Sequence, residues 1–278
     1  MISIVTDSAS MLPEALRVRY DIAVVPITIG LDGDDYREGV DLTTDDFYRR
    51  LGEGATATTA APAPGVFTQT YRAAAAAGAT RIVSVHTGSA YSATVGSATL
   101  ASRLVDIPVD IVDTGVASFP VALAVWAAAE AIADGRPIED AIRTAADTAS
   151  AAGSLFVVGV PEVARSGGRL TIKGNLTALT VLELARGNLT VHSEAPDLEA
   201  AITAMVERVH VLADSQTMRV GVGHALRADL AAEVVHRLSE LGNAAELVTY
   251  EIGPSVGAHT GPGTIGVVYA PIDPDPTR

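Results

Sequence analysis

Three short polar clusters contain the residues whose types and spacing could do chemistry. They are Thr58–Pro62, Ser92–Thr94 and His259–Thr264. The first two supply hydroxyl groups just before a predicted helix, where exposed backbone N–H groups favour an anion. The third places an imidazole beside a turn rich in glycine and proline. Each cluster alone is typical of a capping turn, but together they supply the donors that a single carboxylate or phosphate needs.

Two other motifs would indicate an enzyme. Gly253–Gly257 matches the G-x-S-x-G pattern of a nucleophile elbow, which requires a strand-to-helix turn. The next residues, Ala258–Gly263, disfavour a helix, and this argues against an elbow. Gly221–Leu226 follows a predicted strand, but Leu226 stands where the dinucleotide fingerprint has Gly or Ala. We interpret that segment as a tight turn, with a nucleotide-dependent transferase using Gly221–Gly223 as an alternative.

Thiol and metal chemistry are not indicated. The chain has no cysteine, and its 6 histidines show no spacing typical of a closed metal site. We therefore expect no metal and no cofactor apart from a bound ligand.

Alternating strands and helices must position the polar clusters in the first part of the chain. Predicted strands are Ile2–Thr6, Ile22–Leu31, Arg81–Val85 and Val109–Val112, and helices begin near Pro13, Asp41, Pro64, Thr94 and Pro120. The run Ala55–Pro64 between two of these helices is rich in Thr, Ala and Pro. This spacing predicts βαβ units and a mostly parallel, Rossmann-like sheet.

The pattern changes near Gly153. A hairpin is predicted around Gly187, and it is followed by a strand, a helix and two more strands. The predicted segments are Met218–Val222, Arg227–Leu241, Ala245–Ile252 and Thr264–Tyr269. We therefore expect two α/β domains, 1–153 and a smaller 154–278 with a mixed sheet, and a ligand in the cleft between them.

Composition excludes several function classes for this chain of 278 residues. Lys and Arg number 19 against 33 Asp and Glu, a formal net charge of −14, which argues against nucleic acid as a partner. The start, Met1–Ser10, lacks the basic and apolar regions of a signal peptide, and the longest apolar stretch, Val121–Ala129, is too short to span a bilayer. The expectation is a soluble cytoplasmic protein without integral membrane association.

An ordered set of motifs over nearly the whole chain resembles the DegV family of fatty-acid-binding proteins. Thr6–Pro13 is similar to the family's T-D-S-x-x-x-L-P, and His259–Gly263 is similar to its closing H-T-G-P-G. The intervening motifs that carry the resemblance are Val24–Ile27, Tyr36–Asp41, Asp113–Ser118 and Ser166–Leu170.

The resemblance implies a set of ligand-binding residues. The family's T-S-Q-P corresponds to Thr59–Pro62, and its S-G-T-x-x-S-A corresponds to Ser92–Ala98 with Ala93 in place of Gly. It implies that Thr59, Ser92 and the N–H of Ala93 bind a fatty acid carboxylate, with His259 beside the head group. Residues expected to line or support the site are Ser8, Thr94, Ser118, Arg169, Thr260 and Gly261. No catalytic residue is expected.

Two segments depart from the family pattern. The family's K-P-I-L is not recognisable at Leu179–Leu182. Members that serve a fatty acid kinase carry an Arg after the second-domain hairpin, where this chain has Glu194. An acid there would repel a phosphate, which counts against a kinase partner.

The sequence thus predicts a lipid-binding protein that is not an enzyme by itself. The first domain would supply the hydroxyls, and the second would cover an apolar tunnel for the acyl tail. About ten buried methylenes at ~0.8 kcal/mol each would contribute roughly 8 kcal/mol. The resemblance implies a fatty acid kinase catalytic subunit as a partner. The alternatives are an acyl hydrolase using Ser92 with His259, and a sugar- or metabolite-binding module.

Overall fold

The computed structural model describes residues 1–170, 176–213, 216–240 and 244–272. The chain divides into two compact units, Met1–Ser150 and Ala151–Arg278. In both units helices pack on sheets, so the predicted α/β class is confirmed.

The first unit contains seven strands and six helices among its described residues. The strands are β1 (Ile2–Asp7), β2 (Ala23–Val25), β3 (Thr28–Leu31), β4 (Asp34–Arg37), β5 (Ala57–Ala60), β6 (Arg81–His86) and β7 (Val109–Asp113). The helices are α1 (Glu14–Arg19), α2 (Thr44–Gly52), α3 (Pro64–Ala76), α4 (Thr94–Ser102), α5 (Phe119–Ala133) and α6 (Ile138–Ala151).

A four-stranded parallel sheet is the centre of the first unit. Its order is β2-β1-β6-β7, and all neighbouring strands run parallel, as predicted. Ile4 and Val5 of β1 and all the apolar residues of β6 are buried, which is typical of a parallel sheet covered on both faces. Because parallel strands end at the same edge, Asp7, His86 and Asp113 stand at the carboxyl ends of three adjacent strands.

A second, antiparallel sheet of the first unit was not predicted. Its order is β4-β3-β5. The predicted strand Ile22–Leu31 is wrong, because it is interrupted at Pro26 and its two halves belong to different sheets. Proline has no N–H to donate to a ladder, so it separates β2 from β3. The run Ala55–Pro64, for which no strand was predicted, contains β5, which pairs with β3 through Ile29 and Thr59.

The core of the first unit is built around α5. Most of its side chains are fully buried, including Val121, Ala124 and Ala128. They pack in one cluster with Val83 and Val85 of the parallel sheet. The buried members of this cluster are all aliphatic.

The second unit contains six strands and four helices among its described residues. The strands are β8 (Gly153–Val157), β9 (Thr180–Ala185), β10 (Asn188–Glu194), β11 (Met218–His224), β12 (Ala244–Glu251) and β13 (Ile265–Pro271). The helices are α7 (Pro161–Ser166), α8 (Leu198–Ala213), α9 (Ala228–Ser239) and α10 (Pro254–Thr260).

The sheet of the second unit is mixed, as predicted. Its order is β10-β9-β8-β13-β11-β12, in which only the β11–β12 pair is parallel among the described strands. The predicted hairpin is confirmed: β9 and β10 are antiparallel and joined by Arg186 and Gly187, with φ of 51° and 73°. Positive φ at both turn residues matches the twist of the flanking strands.

One expectation about the second unit is wrong. Ala258–Gly263 were expected to disfavour a helix, yet the first three of these residues form the end of α10, Pro254–Thr260. Gly253 is extended at the N-cap and Pro254 opens the first turn, where its missing N–H costs nothing. Proline and glycine therefore act here as helix boundaries. Within the described ranges, no helix has the length and apolar character needed to cross a bilayer.

Candidate functional site

Two hydroxyl groups meet at the beginning of α4. The Oγ of Ser92 and the Oγ1 of Thr94 are 2.7 Å apart, and the Thr94 N–H donates to Ser92 Oγ at 3.3 Å. Thr94 is fully buried, Ser92 is half-buried and Ala93, the N-cap, is exposed. The N-cap residue makes no side-chain capping hydrogen bond and the first turn has no acidic residue. The positive end of the α4 dipole is thus presented next to two hydroxyls, an arrangement that favours an anion.

The loop that leads to Ser92 is held by the neighbouring strand ends. Gly88 donates its N–H to the Val116 carbonyl at 2.7 Å, and Ser92 donates its N–H to the Gly88 carbonyl at 3.1 Å. Asp113 Oδ1 accepts the N–H of Ser89 at 3.0 Å and that of Gly115 at 3.2 Å. Burial raises the pKa of Asp113, but these hydrogen bonds outweigh it and hold that pKa below its ordinary value.

A buried polar chain lies beneath the same loop. His86 Nδ1 is 3.0 Å from Asp7 Oδ2, His86 Nε2 is 2.6 Å from Ser84 Oγ, and Ser84 Oγ is 2.8 Å from the hydroxyl of Tyr71. All four side chains are fully buried. Burial also raises the pKa of Tyr71 to about 12, so its hydroxyl stays protonated.

The order Ser84, His86, Asp7 is that of a hydrolase triad, but the environment differs. A nucleophilic serine must reach a substrate carbonyl. Ser84 Oγ is covered by the Tyr71 hydroxyl and has no exposed surface, so we interpret the chain as structural. Sequence reasoning did not single out Ser84 and His86. Their signal was polar residues alternating with valine in a strand that is otherwise apolar.

The remaining predicted residues of the first unit lie at separate positions. Thr59 is half-buried in β5 and pairs with Ile29 in the antiparallel sheet. Ser8 is engaged, because its hydroxyl bonds to Glu38 and accepts the Ile27 N–H at 2.9 Å. Ser118 is the N-cap of α5, with φ 65° and ψ −151°. That region of backbone space is almost restricted to glycine, so Ser118 is strained.

In the second unit the structure brings together His259 and the turn that contains Arg169. A methyl group at Gly167 would lie 2.8 Å from His259 Nδ1, so only glycine fits against the ring. Burial lowers the pKa of His259, and the positive charge of Arg169 lowers it further, while a hydrogen bond with the Gly167 backbone partly offsets both. These surroundings therefore favour the neutral imidazole. Thus two motifs distant in sequence, Ser166–Leu170 and His259–Thr264, are neighbours in the fold.

Thr260 and Gly261 fix the turn after α10. The Thr260 carbonyl accepts the Val160 N–H at 3.2 Å, and the Gly261 carbonyl accepts the Thr264 hydroxyl at 2.8 Å. Gly261 has φ 81°, a conformation that favours glycine. Both residues are buried and support the turn through their backbones. Ser255 of the G-x-S-x-G segment lies in α10, directly after a strand, so the strand-to-helix turn of a nucleophile elbow is present. The Ser255 side chain is buried, however, and is not exposed at that turn as a nucleophile would be.

A surface pocket and the segment Gly221–Leu226 are relevant to other kinds of ligand. A pocket of about 410 Å³ lies on the antiparallel sheet and is lined by Asp32 and Asp35, whose charges disfavour an anionic ligand. In the segment Gly221–Leu226, Leu226 has φ 61° and is exposed, consistent with a tight turn before α9. Across the parts of the chain described, three or more carboxylate or imidazole side chains do not converge as metal ligands.

A family model matches residues 1–271, and its description is "Uncharacterised protein, DegV family". The chain therefore belongs to the DegV family. A DegV domain-containing protein of Streptomyces coelicolor is 32% identical over 275 residues, covering 97% of this chain and 98% of that protein.

Solved structures of other proteins are also similar to this chain. A DegV family protein of Thermus thermophilus, reported for its fatty acid binding, is 28% identical with a TM-score of 0.87, and the match covers 97% of this chain and 99% of that one. A stearic acid-binding protein of Eubacterium ventriosum has a TM-score of 0.89 at 21% identity, covering 98% and 99% of the two chains. The second similarity concerns the fold alone.

Proposed function

We propose that this chain binds one long-chain fatty acid through its carboxylate. The observation that carries the proposal is the meeting of the Ser92 and Thr94 hydroxyls at the beginning of α4, whose N-cap residue makes no side-chain capping hydrogen bond. We assign the carboxylate to the Ser92 hydroxyl and to the N–H of Ala93, which is an exposed residue. The Thermus relative, which resembles this chain in sequence as well as in fold, supports the ligand class.

Counting protons shows why Ser92 suits this task. Two hydroxyls carry two protons, and the bond between Ser92 and Thr94 uses one of them. Ser92 Oγ also accepts the Thr94 N–H. When Thr94 donates to Ser92, the Ser92 proton is left for a ligand oxygen to accept. A charge-assisted bond of this kind contributes about 1.5–3 kcal/mol.

The acyl tail supplies most of the affinity in this proposal. Each methylene removed from water contributes about 0.8 kcal/mol without any directed contact. The aliphatic cluster that includes Val85, Val116 and Val121 lies under the strand ends that carry the polar loop. An internal tunnel for the tail remains part of the proposal.

Thr59 and His259 are further proposed contacts. Thr59 offers a half-buried hydroxyl on β5, and His259 offers a neutral imidazole near the cationic Arg169. Both assignments come from the resemblance to the family, and each needs its own variant to test it.

A hydrolase using Ser92 and His259 is not proposed. Such an enzyme needs the serine hydroxyl bonded to an imidazole that is itself oriented by an acid. In the structure Ser92 bonds to Thr94, which suits a donor to a ligand rather than a nucleophile.

The direct experiment compares Ser92→Ala with the wild-type protein in equilibrium titrations of delipidated protein with oleate. We expect wild-type binding, and a weakening of about 10- to 100-fold in Ser92→Ala for the loss of one charge-assisted hydrogen bond. Ser102→Ala is the matched control, because Ser102 lies at the other end of α4 and donates to the Thr99 carbonyl at 2.9 Å. Its affinity should equal that of the wild type. No uptake of oleate by the wild type, together with no fatty acid in solvent extracts of the purified protein, would overturn the proposal.

Phosphorylation of the bound fatty acid by a kinase partner is a separate step. Glu194, at the end of β10, accepts the Thr180 hydroxyl at 3.0 and 3.1 Å, and its exposed carboxylate would repel a phosphate. We therefore expect little acyl phosphate when this chain is mixed with a fatty acid kinase catalytic subunit and ATP, and more with Glu194→Arg. Equal product from both proteins would show that Glu194 has no influence.

A further inference from the structure

Asp7 holds the first residue of the loop that leads to Ser92. Thr87 donates its N–H to Asp7 Oδ2 at 3.0 Å and its hydroxyl to Asp7 Oδ1 at 2.9 Å. His86 bonds to the same carboxylate at 3.0 Å. A carboxylate on β1 thus receives three hydrogen bonds from the end of β6, the point at which the chain leaves the sheet.

The hydrogen bonds of the buried chain run in one direction. An ionised carboxylate only accepts, so His86 must donate from Nδ1 to Asp7. With a neutral ring, Nε2 accepts from Ser84, and Ser84 in turn accepts from Tyr71. Every proton then has an acceptor. The charge of Asp7 selects the tautomer of His86 and, through it, the orientation of the other hydroxyls.

The same chain extends to the helix that follows Thr59. Tyr71 belongs to α3, which begins four residues after β5. Phe67 of α3 also packs its ring against His86 at 5.0 Å in an edge-on arrangement. The buried chain therefore connects the loop that carries Ser92 to the helix next to the strand that carries Thr59.

The geometry points to Asp7 as a positioning residue for the carboxylate-binding hydroxyl, acting through Thr87. This inference rests on the proposed function. Aliphatic side chains would fill the same space without the cost of burying a charge. A polar chain instead fixes the angle at which the backbone leaves β6, and the bonds from Gly88 to Val116 and from Ser92 to Gly88 transmit that angle to Ser92.

Variants at the two ends of the buried chain separate positioning from stability. Thr87→Val removes the hydroxyl that Asp7 holds, Thr87→Ser retains it, and Tyr71→Phe removes the hydroxyl farthest from the loop. Oleate affinity is measured for each variant at a temperature where all are folded. Positioning predicts about tenfold weaker binding for Thr87→Val, near wild-type binding for Thr87→Ser and Tyr71→Phe, and a lower melting temperature for Tyr71→Phe.

The outcomes distinguish this inference from the proposed function. Equal oleate affinity in Thr87→Val and the wild type overturns the positioning role while leaving the proposed function standing. Equal weakening in Thr87→Val and Tyr71→Phe also overturns it, because affinity would then follow stability alone. Failure of the wild type to bind overturns the proposed function and this inference with it. If Thr87→Val does not fold, Thr87→Ala removes the same hydroxyl from a smaller side chain and the same comparison applies.

Discussion

The carboxylate of Asp7 lies 3.0 Å from Nδ1 of His86, and neither side chain has any exposed surface. A charge placed so deep needs hydrogen-bond donors in place of water. Here the His86 ring, the Thr87 N–H and the Thr87 hydroxyl supply three. The first strand of the sheet is thereby bonded to the loop on which the proposed function depends.

Asp7→Asn should lower the free energy of unfolding by about 3 kcal/mol. The new amide N–H₂ would face either the Thr87 hydroxyl, at the position of Oδ1, or both His86 Nδ1 and the Thr87 N–H, at the position of Oδ2. In either orientation at least one buried donor would lose its acceptor. Urea denaturation followed by circular dichroism measures the change. Asp113→Asn is the control, because its single accepting oxygen can keep the bonds from Ser89 and Gly115. A loss for Asp7→Asn no larger than for Asp113→Asn would contradict the directional chain.

Gly88→Ala should displace the polar loop. A methyl group there would lie 2.6 Å from the Cα and carbonyl carbon of Gly115, and backbone atoms cannot move aside cheaply. We expect lower stability and weaker oleate binding, measured by thermal unfolding and titration. Gly96→Ala is the opposite case, because a methyl group on that helical glycine meets nothing within 4 Å. Gly96→Ala should raise the free energy of unfolding by about 1 kcal/mol. If Gly88→Ala changed stability in the same way, the close approach of Gly88 to Gly115 would be contradicted.

Ser118→Gly should stabilise the protein by about 1 kcal/mol, since glycine adopts φ 65°, ψ −151° without strain. The stability gained by relieving this backbone strain exceeds the stability lost because glycine has more conformational freedom in the unfolded chain. Ser97→Gly, inside α4, is the matched substitution without a strained backbone and should destabilise by about 0.5–1 kcal/mol. Chemical denaturation of both variants gives the comparison. A Ser118→Gly protein less stable than the wild type would show that the Ser118 side chain outweighs its strain.

The lowered pKa of His259 gives a pH dependence with a defined sign. Above about pH 7 the imidazole is neutral in both the folded and the unfolded chain. As the pH falls through 6.5, the unfolded chain takes up a proton first, so the free energy of unfolding decreases. This decrease should be smaller in His259→Gln. Urea denaturation at about pH 7.5, 6.5 and 5.5 measures the free energy of unfolding of both proteins across the titration of histidine. An identical pH dependence in the two proteins would show that the pKa of His259 is not lowered by folding.

The same residue tests a predicted head-group contact. A carboxylate beside His259 would favour its protonated form, so oleate affinity should rise as the pH falls from about 7.5 to about 6. In His259→Gln this rise should be absent. An equal rise in both proteins would remove His259 from the proposed site.

The sequence was most informative where one local rule decided the structure. Alternation of apolar strands and capped helices predicted the parallel sheet, and Arg186–Gly187 predicted the hairpin. The antiparallel sheet was missed because β5 consists of alanine and threonine and becomes a strand only by pairing with β3. Such pairing is a tertiary effect that periodicity does not contain.

Only part of the candidate site could be predicted from the sequence, because the rest also depends on tertiary pairing. Ser92 and Thr94 were visible as polar residues at a helix beginning. The buried chain was not, because Asp7 and His86 are 79 residues apart and meet only when β1 and β6 pair. Similarly, the contact between Gly167 and His259 depends on the packing of α7 on α10.

The central claim is that fixed hydroxyl and N–H donors bind a lone carboxylate. Oleate labelled with ¹³C at its carboxyl carbon, bound to the wild-type protein and titrated by NMR, tests it directly. Donors that stabilise the anion lower its pKa, so the bound carboxyl signal should remain that of the ionised form well below the pH at which dispersed oleate protonates. Ser92→Ala should move that titration to higher pH. A bound carboxyl that titrates at or above the pH of dispersed oleate, with no change in Ser92→Ala, would contradict the account.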